Sequence, residues 1–135
     1  KMVISLLAAA ALSAQAPAAE KIEFGHARWD KFPRLERTGH PLPYAQMVEV
    51  AELVFDEKQC ELDGQSARRF DITIPYAVYL GADGKAERVL VKDLGCAPIQ
   101  NLVGEVVYQL SELGDFRAGA GAPRWYSDEI NLTLE

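Results

Sequence analysis

The side chains equipped for chemistry are few and widely spaced. Two cysteines (Cys60 and Cys96), two histidines (His26 and His40), the adjacent carboxylates Asp128 and Glu129 before the last strand, and scattered serines make up the candidates. The histidines stand fourteen residues apart, with no acidic or cysteine partner at the spacing of a metal box, so no metal site is expected. Asp128 and Glu129 are the kind of pair that acid–base catalysis uses. Neighbours in an extended segment point to opposite faces, however, and solvated charges are the expectation. None of Ser5, Ser13, Ser66, Ser111 and Ser127 lies in a Gly-x-Ser-x-Gly elbow, so the hydrolase arrangement is missing. No catalytic residue, metal or cofactor is assigned, and the chain is not expected to be an enzyme.

The cysteines are the exception, because their chemistry depends on the compartment. A redox-active pair is typically spaced Cys-x-x-Cys, and Cys60 and Cys96 are far apart. Oxidised, they would close a loop of 37 residues. Chain entropy values such a closure at roughly 3 to 4 kcal/mol in a model-dependent account. Two buried free thiols are the competing state. The first residues favour the disulfide: Lys1 is followed by an apolar run from Met2 to Leu12 and then by small residues, the layout of a secretory signal peptide. The apolar run is about ten residues, short of the roughly 20 that span a bilayer. Cleavage before Ala19 is expected, with no stable membrane insertion afterwards, and an oxidising periplasmic or secreted location suits the cysteine pair. Removing Lys1 takes the formal net charge from −6 to −7, which disfavours nucleic acid and anionic membranes as partners.

These residues must be positioned by a single domain, since 135 residues at 49% hydrophobic composition suffice for one core. Residues 20–42 mix aromatics and charges without a sustained period and read as an irregular arm that Phe24, Trp29 and Phe32 can dock. A short helix is predicted from Pro43 to about Phe55, on the spacing of Tyr44, Met47, Val48, Ala51 and Val54, although Val48 and Val50 also permit a strand. A polar loop over 56–69 carries Cys60 and an Asp63-Gly64 turn. Apolar alternation through Phe70, Ile72, Ile74, Tyr76, Val78 and Leu80 predicts a strand, with Pro75 on an unpaired side or at a bulge.

Asp83-Gly84 predicts a hairpin turn and 86–92 the returning strand. If the turn has two residues, Asp71 comes level with Cys96, and the polar loop must fold back to bring Cys60 there. Residues 98–113 predict the clearest helix, opened by Pro98 and closed by Gly114. Its core stripe runs through Ile99, Leu102, Val103, Val106, Val107, Leu110 and Leu113, and its wet face holds Gln100, Asn101, Glu105, Gln109 and Glu112. A Gly-rich turn leads to a last strand from Trp125 to the end. The fold class expected is α+β in two layers: a small antiparallel sheet of hairpin and C-terminal strand, a helix on one face, and an N-terminal helix before it.

The run VYLGADGKAERVLV at Val78 to Val91, the loop to Cys96, the apolar helix, Phe116 near its end and the terminal INLTLE together resemble the C-terminal domain of TonB-type energy transducers. The resemblance covers roughly residues 68–135, leaving 1–18 as signal peptide and 19–67 as arm, short helix and cysteine-bearing loop. It departs from the family at Gly114-Asp115, where a Trp usually precedes the Phe. It implies binding of an extended peptide from an outer-membrane-associated protein by sheet-edge pairing, at Ile130, Asn131, Leu132, Thr133 and Leu134. Energy transducers also carry an uncleaved anchor and a long Pro-rich spacer, neither of which is read here. A stand-alone, unanchored periplasmic relative that binds without transducing energy is therefore the leading expectation. An exported envelope accessory or inhibitor protein acting as a homodimer, and a small disulfide-stabilised enzyme, are the alternatives.

Overall fold

The apolar alternation over 70–80 becomes an eleven-residue strand, Phe70–Leu80, whose even-numbered side chains from Phe70 to Leu80 are all buried. The computed structural model describes residues 20–135, so the signal-peptide reading of 1–18 lies outside the described residues. In chain order the elements are β1 (Ile22–Gly25), a 3-10 turn (Trp29–Lys31), β2 (Glu36–Arg37), α1 (Tyr44–Asp56), β3 (Phe70–Leu80), β4 (Ala86–Lys92), α2 (Ala97–Glu112), β5 (Phe116–Arg117) and β6 (Arg124–Leu134). Four strands form one sheet in the order β1-β4-β3-β6, and β2 and β5 make a separate two-stranded ribbon.

The hairpin register is the one a two-residue turn implies, with Tyr76 opposite Val91 and Val78 opposite Val89. A bulge between Tyr79 and Leu80 then shifts the last pair to Leu80 and Ala86. Gly84 at φ +81° completes the turn, and a Cβ there would also lie 3.2 Å from the Phe116 carbonyl oxygen. Pro75 sits one residue beyond the last β3–β4 pair. Its missing N–H thus falls where the ladder has already ended, as a proline in a strand requires.

The fold is α+β, but the sheet is mixed rather than antiparallel. β1 runs parallel to β4, Ile22 beside Val89 through Gly25 beside Lys92. The arm is therefore not irregular; it supplies an edge strand. No period announced it, because a four-residue strand at an edge has room for only two residues per face. Two helices share the buried face of the sheet: α1 against β6 and α2 against β4 and β1, each touching the other. Met47, Ala51, Val54 and Phe55 are the buried stripe of α1, and the Phe55 ring lies 5.5 Å from that of Phe70.

Gln100 is a second departure. Placed on the wet face by its spacing, it is 3% exposed, and its Oε1 accepts the N–H groups of Leu94 (2.7 Å) and Cys96 (3.0 Å). These are donors that the loop into α2 would otherwise bury unpaired. The Cys60–Cys96 disulfide joins the polar loop to the start of α2, with Cα atoms 5.3 Å apart. Among the described residues no helix is long and apolar enough to cross a membrane.

Two stability measurements follow from this packing. Breaking the disulfide by Cys60→Ala with Cys96→Ala is expected to cost about 3 to 4 kcal/mol in urea unfolding, the loop-closure value. Gly104 meets β1 so closely that a Cβ would stand 2.6 Å from Ile22 Cγ2. Gly104→Ala gains about 1 kcal/mol of helix propensity, but overpacking at such a contact costs about 1–3 kcal/mol. Net destabilisation is expected, turning to net stabilisation when Ile22→Ala removes the contact.

Candidate functional site

β6 lies at one edge of the sheet, paired along its whole length with β3, from Leu134 opposite Phe70 to Arg124 opposite Leu80. Its even-numbered side chains face the helices, and Tyr126, Ile130 and Leu132 are buried there. Its odd-numbered side chains face the opposite side of the sheet. Ser127 donates its N–H to the Pro33 carbonyl (3.0 Å) and accepts the Leu35 N–H (2.9 Å). Ser127 thus turns its backbone groups away from β3, and by strand alternation Glu129, Asn131 and Thr133 do the same.

The arm reaches this edge by crossing the outer face of the sheet. Phe32 stacks on Trp125 at 5.9 Å, Trp29 meets Phe32 edge-on at 6.5 Å, and Tyr79 meets Trp125 at 5.5 Å. Arg88 lies over the Trp125 ring at 5.0 Å while its guanidinium grips both carboxylate oxygens of Glu23 on β1, at 2.8 and 3.0 Å. That pairing holds the Glu23 carboxyl below its ordinary range. Ser127 Oγ donates to the Trp29 carbonyl at 3.0 Å. Docking by Trp29 and Phe32 is therefore observed, whereas Phe24, 40% exposed on β1, stays at the surface.

From Pro33 the arm passes over the β6 edge at Ser127, where Arg34 bridges it, and onto the helix side, where Leu35 is buried and β2 pairs with β5. It is secured there by Asp115, whose side chain is fully buried. Asp115 accepts hydrogen bonds from Arg37 Nε (2.5 Å), Thr38 Oγ1 (2.8 Å), the amides of Gly39 (3.0 Å) and His40 (2.7 Å), and His40 Nδ1 (2.8 Å). Burial pushes its carboxyl pKa up. The His40 amide, the Arg37 guanidinium, the His40 ring and the Thr38 hydroxyl together outweigh this and leave it well below the usual carboxylate range. His40 is thus a partner in an anchor that ties the arm to the end of α2.

Beyond Ser127 the β6 edge carries no strand among the described residues. The Glu129 N–H is taken by the neighbouring Asp128 Oδ1 (2.8 Å) and the Thr133 N–H by the Tyr44 hydroxyl (3.0 Å). The Asn131 N–H, between them, points outward with neither cap. The Asn131 side chain lies on the outer face, where its Nδ2 donates to Asp71 Oδ1 (2.8 Å) and Thr73 Oγ1 (2.9 Å). Thr133 Oγ1 joins the same cluster through Asp71 and Asn131. A cleft of about 360 Å³ adjoins each end of the open stretch. One has Trp29 and Phe32 as apolar walls and Asp30, Arg34, Asp128 and Glu129 as charged groups. The other lies among Gln65, Arg69, Asp71, Thr133 and Leu134.

Of the five residues expected at a binding edge, all lie on the one strand, but they contribute differently. Ile130 and Leu132 fill the core, and Leu134 packs against it half-buried. Asn131 and Thr133 present both backbone and side chain on the accessible side. Asp128 and Glu129 face opposite sides of the sheet as expected, with Arg34 3.5 Å from Asp128. Asp30, Trp29, Phe32 and Tyr44 complete the surroundings, and spacing could not have placed them beside β6, since they lie 80 or more positions before it. No family model matches the chain, and no curated protein or solved structure matches it.

The Asp115 anchor sets an acid-stability test. A carboxyl lowered on folding stabilises the native state above its unfolded value, near 4, and that stabilisation fades as pH falls from there towards the folded value. The wild-type unfolding free energy is therefore expected to drop below about pH 4. Asp115→Asn should lose about 3 kcal/mol at neutral pH, as breaking a buried charge pair does, and show a flatter acid limb in urea titrations.

Proposed function

We propose that the protein is an exported binding module that receives an extended peptide segment on the outer edge of β6, between Glu129 and Thr133. The observation that carries this reading is the outward backbone of Asn131, which lies between a stretch of edge closed by the arm and a stretch capped by one tyrosine hydroxyl. Exposed strand edges are templates for pairing, and proteins that do not use them cover or bend them. Here the arm covers the edge at Ser127 and leaves it at Glu129, while the caps on Glu129 and Thr133 are single side-chain groups that an incoming strand can replace. Main-chain pairing of this kind supplies affinity, and side-chain clefts beside it supply selectivity.

The same reading takes the chain as a periplasmic relative of TonB-type C-terminal domains. Support comes from the order of hairpin, apolar helix and closing strand, and from the position of that closing strand at the sheet edge. The disulfide and the apolar run in the first 18 residues support export. The partner is a protein or peptide, and the resemblance favours one associated with the outer membrane.

Asn131→Pro removes the outward N–H without touching the ladder to β3, and Asn131→Ala keeps that N–H while removing the side chain. With a photoreactive residue at Thr133 in living cells, the expected result is a crosslinked partner that Asn131→Ala retains and Asn131→Pro loses. An adduct that survives Asn131→Pro, or none at all, overturns the proposal. An adduct of twice the chain's mass assigns the edge to self-pairing in a homodimer.

A further inference from the structure

The cleft beside Glu129 carries information about what an incoming strand must look like. In a paired strand the residue directly opposite Glu129 shares its face of the sheet, with Cβ atoms about 5 Å apart. That face at Glu129 is the cleft walled by Trp29 and Phe32, where Asp30 and Arg34 from the arm join Glu129 and where Asp128 also contributes to the rim from the helix side. Arg34 is 3.5 Å from Asp128, which leaves Asp30 and Glu129 as carboxylates without a charged partner among the described residues. Further along the same face Asp71 adds another carboxylate, directed at Asn131 and Thr133. The aromatic walls suit the aliphatic stem of a long side chain, and their faces attract a cation.

We infer that the strand received by β6 carries a lysine or arginine opposite Glu129, with its stem against Trp29 and Phe32 and its charge between Asp30 and Glu129. This rests on the edge-pairing reading above and gives that reading a register. On the helix side the residues flanking Glu129 add no unpaired charge, since Asp128 is met by Arg34 and Ile130 is buried in the core. A basic ligand also fits the chain's formal net charge of −6, which favours encounter with cations at low ionic strength.

The test is selection of random twelve-residue peptides against the purified, disulfide-bonded protein, followed by affinity measurement and hydrogen exchange at the Asn131 amide. The expected result is Lys or Arg recurring at one position, slowed Asn131 exchange on binding, and an affinity about five- to tenfold weaker when that residue becomes Gln. The protein variant Asp30→Asn with Glu129→Gln should weaken the original peptide by a similar factor. It should also abolish the difference between the Lys and Gln peptides. Peptides that slow Asn131 exchange but show no basic position, or bind the double variant unchanged, overturn the inference and leave the edge reading standing. Peptides that leave Asn131 exchange unchanged, or no selected peptide, overturn both.

Discussion

A buried carboxylate holds the two halves of the molecule together. Asp115 follows α2 at the point where the chain turns through Gly114, and it receives donors from Arg37, Thr38, Gly39 and His40, residues 75 to 78 positions earlier. A charge buried without partners would be costly; with five donors it becomes a directional tether. What it tethers is the arm, which begins as β1 on one edge of the sheet, crosses the outer face through Trp29 and Phe32, and passes over the other edge at Ser127. If the arm were not held at Arg37 to His40, its passage over β6 would rest on the aromatic contacts, two backbone hydrogen bonds, the Ser127 hydroxyl bond to Trp29 and the exposed Arg34–Asp128 pair.

The consequence concerns edges. Any open sheet exposes two rows of backbone groups, and each must be covered or used. β1 takes the outer side of β4 over four residues, and Pro33 to Leu35 take the outer side of β6 near Ser127. Tyr44 at the start of α1 caps the Thr133 amide. The remaining stretch is short, flanked by clefts and rimmed by carboxylates, which distinguishes it from a generic sticky edge. The arm therefore defines the candidate site twice: by where it stops covering β6, and by the rings and charges of Trp29, Asp30, Phe32 and Arg34 that it brings beside Glu129. The disulfide fastens the loop after α1 to the start of α2.

The elements with long, regular periods were legible from residue types. β3 alternates over eleven residues, α2 repeats its apolar stripe from Ile99 to Leu110, and Asp83-Gly84 between them specifies the turn, so these three arise where spacing places them, although Leu113, expected in the stripe, lies exposed just past the helix end. The pairing of Cys60 with Cys96 was legible because there are only two cysteines. Legibility failed where a residue's role depends on a distant segment. Gln100 has the polarity and helical phase of a solvent-facing residue, yet it is buried to receive two amides of the loop before it. β1 has too few residues to show a period, and its place beside β4 comes from Ile22 packing onto Gly104 and Glu23 pairing with Arg88.

The amino-acid sequence by itself determined the hairpin, the apolar helix, the closing strand, the cysteine pair and the acidic balance, because each depends on local periodicity, on turn chemistry or on composition. Only the tertiary structure decided that the sheet is mixed, that the arm is a strap, that Asp115 is its anchor, and that Asn131 is the residue whose amide the strap leaves open. Those outcomes depend on contacts between segments far apart in the chain. Such contacts are chosen by the joint requirement that every buried donor, carboxylate and sheet edge find a partner, and that requirement acts only once the segments are assembled.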